Sequence, residues 1–244
     1  MPDREGVCQM DKGFRDRLQR AAEVTNYKRH PFVTVWARGE LNREQMIAWT
    51  QQHWLFVTHF PRWLAALYAR CPHQETRDYL LANLLEEEGS FKHTDMLLTF
   101  GEACGATREQ LTSARKLPTT RALTDWGDLL VATAPFPEAA AGITVGTEGP
   151  VPGFYGRVLP TLRARYGFTE AQLINFTVHI DADVDHLEKG FQIVERYCRS
   201  AEEQEAAVER VRQAAEMYWL YVEGLYQHIV LGDFARQSQA WRGD

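Results

Sequence analysis

The stretch VHIDADVDHLE, at residues 178–188, predicts a helix that carries three potential metal ligands on one face. Because an α-helix advances by about 100° per residue, Asp183 lies roughly 40° from His179, and His186 lies roughly 20° away on the other side. Apolar residues flank these groups. If this face is buried, each imidazole and the carboxylate therefore needs a hydrogen-bonding or metal partner. A metal ion is one of the few partners that serves all three. The alternative is a surface helix on which His186 pairs with a nearby carboxylate.

A second group of candidate ligands precedes this helix in the chain. The segment LLEEEGSFKH, at residues 84–93, offers three consecutive glutamates and His93 within about two helical turns. Consecutive glutamates are also typical of a solvated helix end. This segment alone therefore leaves both interpretations open.

Glu148 is isolated among small apolar neighbours. It is the only charged residue between Glu138 and Arg157. A buried carboxylate of this kind becomes neutral or binds a cation. The alternative is a carboxylate at a helix end near Pro150.

Together these segments supply imidazoles and carboxylates from three separate helices. Mixed ligation of this kind suits iron or manganese with open coordination positions, and helical bundles present such ligands on inward faces. The chain contains no Glu-x-x-His sequence, the nearest being Asp183-x-x-His186, so it lacks the signature of ferritin-type bundles. We therefore predict a different helical scaffold for two metal ions.

The composition is that of an ordinary globular protein. Of the 244 residues, 45% are hydrophobic and 25% are charged, and the formal net charge is -6. An acidic chain without a block of Lys and Arg is poorly suited to nucleic acid or to anionic membranes. The four cysteines form no Cys-x-x-Cys pair and the amino terminus has no apolar run of the signal-peptide type, so a cytoplasmic location is predicted. No long linker divides the chain, and residues 1–244 are expected to form one domain with tails at 1–9 and 237–244 that can fray.

Apolar residues recur at spacings of three and four nearly throughout, which predicts an all-α protein. Breaks are expected near Pro61 and Gly89, and Thr169 and Gln172 have the spacing of a capping box. The predicted helices cover residues 12–24, 42–70, 74–104, 119–134, 136–147, 152–166, 169–200 and 201–231.

These residues resemble those of the heme-oxygenase-like di-iron oxidases, a family related to pyrroloquinoline-quinone synthase, the TenA thiaminases and chlamydial para-aminobenzoate synthase. The resemblance covers roughly residues 27–229, including the opening segments HPF at 30–32 and WARGELNREQ at 36–45. The family motif His-x-x-x-Asp-x-x-His matches the residues at 179, 183 and 186 in type and spacing. The resemblance implies a heme-oxygenase-like or TenA-like bundle of about seven or eight helices.

The resemblance also implies a complete ligand set. Glu148 corresponds to the central glutamate of the family, and His93 to the histidine of its His-x-Asp motif. For the first glutamate, the family spacing Asn-x-x-x-Glu counted from Asn83 selects Glu87, whereas helical phase from His93 favours Glu86. Glu87 is preferred because a helix break is expected before His93. The implied metal ligands, which are also the implied catalytic residues, are Glu87, His93, Glu148, His179, Asp183 and His186.

At several positions this chain lacks the residues that the relatives need for their reactions. TenA thiaminases have a nucleophilic cysteine where Glu148 stands, and this chain has no cysteine between Cys104 and Cys198. The tyrosine that the para-aminobenzoate synthase consumes from itself corresponds to Val33, and its essential lysine falls near Val158. A self-sacrificing reaction is therefore not expected.

The resemblance implies a non-heme di-iron oxidoreductase that binds two Fe(II) ions, uses O2 as co-substrate and oxidises a small carboxylate-bearing substrate. An amino acid is the first expectation, with N-oxygenation, desaturation or oxidative C–C cleavage in natural-product biosynthesis as outcomes. The alternatives are a fatty-acid-cleaving di-iron oxidase and a cofactor-independent oxidase of the pyrroloquinoline-quinone synthase type. The resemblance further implies a homodimer and is compatible with an external electron donor, and no nucleic-acid or membrane partner is expected.

Other polar residues near these segments have two interpretations. His53 and His59 either line a substrate pocket or are histidines satisfied in the core or at the surface. Lys92, Arg157 and Arg163 are near enough in sequence to the ligand segments to receive a substrate carboxylate, although surface exposure is the commoner fate of such residues.

Overall fold

A computed structural model describes the backbone of residues 4–25, 27–89, 92–149 and 151–232. Within these ranges it also describes the side chains, except at residues 4–12, 152 and 181–184. The described residues form α-helices and short helical turns without β-strands, which confirms the all-α prediction. No helix among them combines the length and apolarity needed to cross a membrane. The expected tail 237–244 lies outside the described residues.

Twelve α-helices follow one another in the part of the chain that the structure describes. They are α1 (Arg4–Ala22), α2 (Pro31–Ala37), α3 (Arg43–Val57), α4 (Phe60–Arg70), α5 (Gln74–Glu88), α6 (His93–Ala103), α7 (Arg108–Thr112), α8 (Pro118–Thr133), α9 (Phe136–Ala140), α10 (Val151–Ala164), α11 (Ile174–Tyr197) and α12 (Ala201–Leu225). The π-helical segments Ala141–Thr147 and Tyr226–Leu231 continue α9 and α12, and 3-10 turns occupy Tyr27–Arg29 and Glu170–Leu173.

The structure divides the bundle more finely than the seven or eight helices expected. The predicted helix 42–70 ends at Val57 and restarts as α4, which has Pro61 in its first turn. The predicted helix 74–104 ends before Gly89 and restarts as α6. Both expected breaks are confirmed. The first helix begins at Arg4, inside the expected tail 1–9, rather than near residue 12.

Local capping explains the helix ends that periodicity alone misses. The short helix α2 begins where the Nδ1 atom of His30 accepts a hydrogen bond from the backbone N–H of Phe32. The five-residue helix α7 begins with a capping box that the sequence analysis did not identify. The predicted capping box of Thr169 and Gln172 is confirmed, although it opens a 3-10 turn before α11. Short capped helices bury too few residues to show a periodic pattern.

The π-helical segment 141–147 lies in the middle of the bundle. All its residues are buried, and α12 packs against it more extensively than against any other described element. Gly146 permits this approach, because an added Cβ would lie 2.3 Å from the Cβ of Ala214 in α12. From another side, Gly190 of α11 faces Thr144, whose carbonyl oxygen would lie 2.9 Å from an added Cβ. These two glycines allow α11 and α12 to pack closely on the segment that ends next to Glu148.

Aromatic side chains fill the core on the α3 side of the bundle. Trp36 and Trp49 pack edge to face with ring centroids 4.7 Å apart, and Trp49 stacks on His53 at 4.7 Å. Phe176 of α11 also stacks on Trp49, with ring centroids 5.8 Å apart. The aromatic core thus connects α3 with the helix that carries His179.

Candidate metal centre

Several elements bring the candidate ligands to one region of the interior. The last turn of α5 supplies two glutamates, α6 begins with His93, Glu148 follows the π-helical segment, and α11 supplies two histidines. α5 ends before Gly89 and α6 begins at His93, and Glu87 and His93 meet although they are six positions apart. A π-helical turn contains more residues than an α-helical turn, so it also changes the direction in which Glu148 points.

Glu87, His93 and His179 form a compact group among the side chains that the structure describes. One candidate ligand atom from each residue lies within 4.8 Å of the others. The Oε1 atom of Glu87 is 2.9 Å from Nδ1 of His93, and the two imidazole centroids are 4.4 Å apart. Nδ1 of His179 donates a hydrogen bond of 2.7 Å to the backbone carbonyl of Asn175. This bond fixes the tautomer and leaves Nε2 of His179 available to bind a metal.

Glu148 and His186 form a second group, together with Glu86. His186 places Nε2 at 2.9 Å from Oε2 of Glu86 and Nδ1 at 3.4 Å from Oε1 of Glu148. Asn83 donates a hydrogen bond of 3.3 Å to the same oxygen of Glu148. The Glu86 side chain is 53% exposed, whereas that of Glu148 is 6% exposed. The second group therefore extends from the interior to the surface.

The histidines of the two groups have opposite pKa shifts. Burial and the nearby His93 lower the pKa of His179 to about 4. Burial also acts to lower the pKa of His186, but contact with Glu148 and Glu86 outweighs it and raises that pKa to about 9. Burial raises the pKa of Glu148, an effect that His186 and Asn83 oppose. His179 is thus neutral, as a metal ligand must be, while His186 holds a proton between carboxylates.

The donor set fits an iron ion. Among the described residues, no hydrogen-bond partner reaches the buried Oε2 atom of Glu148. A buried carboxylate oxygen without a partner is costly, and a cation would satisfy it. Imidazole and carboxylate are ligands of non-heme iron centres.

Glu87 contacts His93, and Glu86 contacts His186. Which of the two glutamates binds a metal therefore stays a prediction. Asp183 lies on α11, but its side chain is outside the described residues.

A cavity of about 50 Å³ opens beside the first group. Its apolar wall comes from Phe56, Val57, Phe60 and Val151, and its polar wall includes His53, Thr147, Tyr155 and Asn175. The candidate ligands Glu87, His93, Glu148 and His179 line it as well. Sequence analysis did not identify Tyr155 and Asn175. Asn175 precedes His179 by four residues on the predicted helix 169–200, so helical spacing could have indicated it. Tyr155 is on a different helix from Glu148, so no such spacing indicated it.

The two histidines of the α3–α4 region have different environments. His53 lines the cavity and is buried between two phenols, with Nε2 at 2.8 Å from the hydroxyl of Tyr155 and Nδ1 at 3.2 Å from that of Tyr221. Burial, with the nearby His179, lowers the pKa of His53 to about 3. His59 is absent from the cavity lining, and its ring contacts Asp128.

The three basic residues considered for carboxylate binding do not belong to the described cavity lining. Lys92 pairs with Glu88 at 3.1 Å, and Arg163 pairs with Glu170 at 2.7 Å. Arg157 is exposed and donates to a backbone carbonyl. None of the three is therefore placed to receive a substrate carboxylate in this cavity.

The fold and the interior cluster define a class: a helical bundle of the heme-oxygenase-like type with imidazoles and carboxylates gathered inside. Residues 47–219 match the model of a protein family described as iron-containing redox enzymes, and the chain belongs to that family. The family resemblance, the fold and the identification as an enzyme are thereby confirmed.

Individual relatives agree with this assignment. A 4-aminobenzoate synthase from Chlamydia muridarum is 26% identical over 237 residues, which cover 93% of this chain and 96% of the relative. A pyrroloquinoline-quinone synthase from Cronobacter sakazakii is 27% identical over 201 residues, covering 80% and 79% of the two chains. The structure of a TenA homologue from Pseudomonas syringae pv. tomato superimposes with a TM-score of 0.76 at 18% identity, covering 88% of this chain and 92% of that one.

Proposed function

We propose that this chain is a non-heme di-iron oxidase or oxygenase that uses O2 to oxidise a small carboxylate-bearing substrate, most simply an amino acid. Membership of an iron-containing redox enzyme family supports the coarser activity. The observation that carries the finer proposal is the convergence of Glu87, His93 and His179, with Glu148 and His186 adjacent.

In the proposed centre, Glu87, His93 and His179 would hold one ferrous ion. Glu148 and His186 would contribute to a second, with Asp183 assigned to the set by its sequence motif. Iron bound there would supply the one-electron chemistry that O2 requires.

The chain's own residues orient the proposed ligands and exclude water. Asn175 fixes the tautomer of His179 through its backbone carbonyl, and Asn83 holds one oxygen of Glu148. Such contacts from neighbouring residues set ligand orientation and basicity. The apolar wall that includes Phe56 and Phe60 keeps water from the reacting groups.

The cavity supports an amino acid over a fatty acid as substrate. Polar groups stand beside the apolar wall of the cavity, and an amino acid offers them both a carboxylate and an amine, whereas a fatty acid offers one polar end. The hydroxyl of Tyr155 and the amide of Asn175 are the polar groups proposed to orient the substrate carboxylate. The cytoplasmic location, the homodimer, the external electron donor and the role in natural-product biosynthesis stay predictions from the sequence.

The decisive experiment is an anaerobic titration of the metal-free protein with two equivalents of Fe(II), followed by mixing with O2 in a stopped-flow spectrometer. We expect the parent protein to bind two ions stoichiometrically and to form a transient visible absorption band. In His179→Ala and in Glu148→Ala we expect fewer than two ions to bind and the band to be absent. Candidate amino acids and fatty acids are then added, and the compound that accelerates decay of the band becomes the leading substrate. Absence of iron binding at either position would overturn the proposal and favour the cofactor-independent oxidase.

A further inference from the structure

We propose that Tyr221, His53 and Tyr155 form a relay that delivers one hydrogen-atom equivalent from the core to the cavity of the candidate iron centre. This inference rests on the proposed function for its oxidant, an oxidised iron centre. The relay itself depends only on residues of this chain, so it can be tested in the metal-free protein.

The geometry of His53 carries the inference. Its two ring nitrogens contact two different phenols, with Tyr155 at 2.8 Å from Nε2 and Tyr221 at 3.2 Å from Nδ1. A neutral imidazole carries one ring proton, so it donates at one nitrogen and accepts at the other. His53 can therefore receive a proton on one side and release one on the other.

The burial of Tyr221 selects the direction of these hydrogen bonds. Tyr221 is 1% exposed, and among the described residues His53 is the hydrogen-bond partner of its hydroxyl. Because a buried O–H without an acceptor is costly, Tyr221 donates to Nδ1 of His53. The imidazole proton of His53 is then on Nε2 and is donated to the oxygen of Tyr155.

From this starting arrangement the transfer balances in atoms and charge. Tyr155 first loses one electron to the oxidised iron centre and its hydroxyl proton to the substrate carboxylate that this hydroxyl is proposed to orient. Tyr221 then gives one electron to the Tyr155 phenoxyl radical and its O–H proton to Nδ1 of His53, while Nε2 of His53 gives its proton to the Tyr155 oxygen. Tyr155 becomes a phenol again, Tyr221 becomes the phenoxyl radical, and His53 ends as the other neutral tautomer. No net charge is left in the core, which avoids the cost of burying one.

The neighbouring tryptophan does not offer an equivalent route. Trp49 stacks on His53 with ring centroids 4.7 Å apart. Its indole N–H has no hydrogen-bond partner among the described residues, so an oxidised Trp49 would have no acceptor for its proton. Oxidation of Trp49 would therefore leave a positive charge in an apolar core, whereas oxidation of Tyr221 does not.

The relay can be tested with an oxidation trap at its cavity end. The variant Tyr155→3-aminotyrosine carries a side chain that is easier to oxidise than tyrosine and has its own radical spectrum. The metal-free protein is oxidised by flash photolysis of a ruthenium(II) tris-bipyridine sensitiser with persulfate, and the radical at position 155 is measured by electron paramagnetic resonance after freeze-quenching. The trap is combined with Tyr221→Phe, with His53→Gln or with Tyr166→Phe. The hydroxyl of Tyr166 bonds to a backbone carbonyl outside the relay, so this last variant is the control.

We expect Tyr221→Phe and His53→Gln to reduce the yield of the radical at position 155 several-fold, and Tyr166→Phe to leave it unchanged. His53→Gln is informative because glutamine keeps one donor and one acceptor but cannot exchange tautomers. Formation of the radical should also slow in D2O with His53 present and lose this dependence in His53→Gln. Equal yields and equal D2O effects in all variants, with circular dichroism confirming that each is folded, would overturn the relay. Failure of the proposed di-iron function would appear separately, as absence of Fe(II) binding by the parent chain.

Discussion

The two groups of the candidate metal centre neutralise buried charge in opposite ways. In the group of Glu87, His93 and His179, a backbone carbonyl fixes the tautomer of a neutral imidazole, and one candidate ligand atom of each residue lies within 4.8 Å of the others. In the other group, a protonated His186 lies between Glu148 and a partly exposed carboxylate. The first group is organised for a metal, whereas in the second a metal must displace a proton. We therefore expect the first group to bind iron more tightly than the second.

Removing one histidine from each group tests this comparison and should have the largest effects. We expect His93→Ala to abolish the tighter step of an anaerobic Fe(II) titration, because it removes a proposed ligand of the first group. His186→Ala should retain that step and lose the weaker one. Each loss should exceed the roughly 10–100-fold that a change outside the ligand set costs. His59→Ala, a histidine absent from the cavity lining, is the control. Loss of the same step in both variants would contradict the comparison.

Asn83→Leu should weaken the second group selectively. The variant removes the amide that donates to Glu148 while keeping a similar volume. We expect the affinity of the weaker Fe(II) step to fall about 10–100-fold, as for other contacts that orient a ligand. The tighter step in the same titration is the internal control. A uniform loss of both steps would show that the two groups are not independent.

Gly146→Ala should lower the stability of the protein, because Gly146 is where the segment before Glu148 packs against α12. The added methyl would lie 2.3 Å from the Cβ of Ala214, so we expect a loss of about 1–3 kcal/mol in the free energy of unfolding. Urea denaturation of the metal-free protein measures this loss. The double variant Gly146→Ala with Ala214→Gly should recover part of it, and purely additive effects would contradict the close-contact explanation.

Thr169→Ala should have the smallest effect of these variants. It tests whether Fe(II) affinity changes when the free energy of unfolding falls but the candidate metal centre is intact. It removes the capping contact at the start of the turn that leads into α11, at a cost of about 1 kcal/mol. Both Fe(II) steps should stay unchanged, because the cap is distant in sequence from His179 and His186. A change in either step would mean that metal affinity follows global stability rather than local geometry.

Sequence patterns predicted most of the fold because the signals are local. Apolar spacing identified the long helices, Pro61 and Gly89 marked two confirmed breaks, and Thr169 with Gln172 marked a confirmed cap. The π-helical segment before Glu148 was not predicted. Its residues have no periodic pattern that distinguishes a π-helix from an α-helix, and close packing against Ala214 accompanies it.

For the site, the sequence by itself determined which chemical groups were present and which of them share the face of α11. It could not determine which glutamate meets which histidine, because that depends on the chain direction after α5 ends. The structure places Glu87 beside His93 and Glu86 beside His186, and it brings His53, Tyr155 and Tyr221 together from three helices. Helical spacing is a property of neighbouring residues, whereas these contacts join residues far apart in the chain. Only the packing of the helices could decide them.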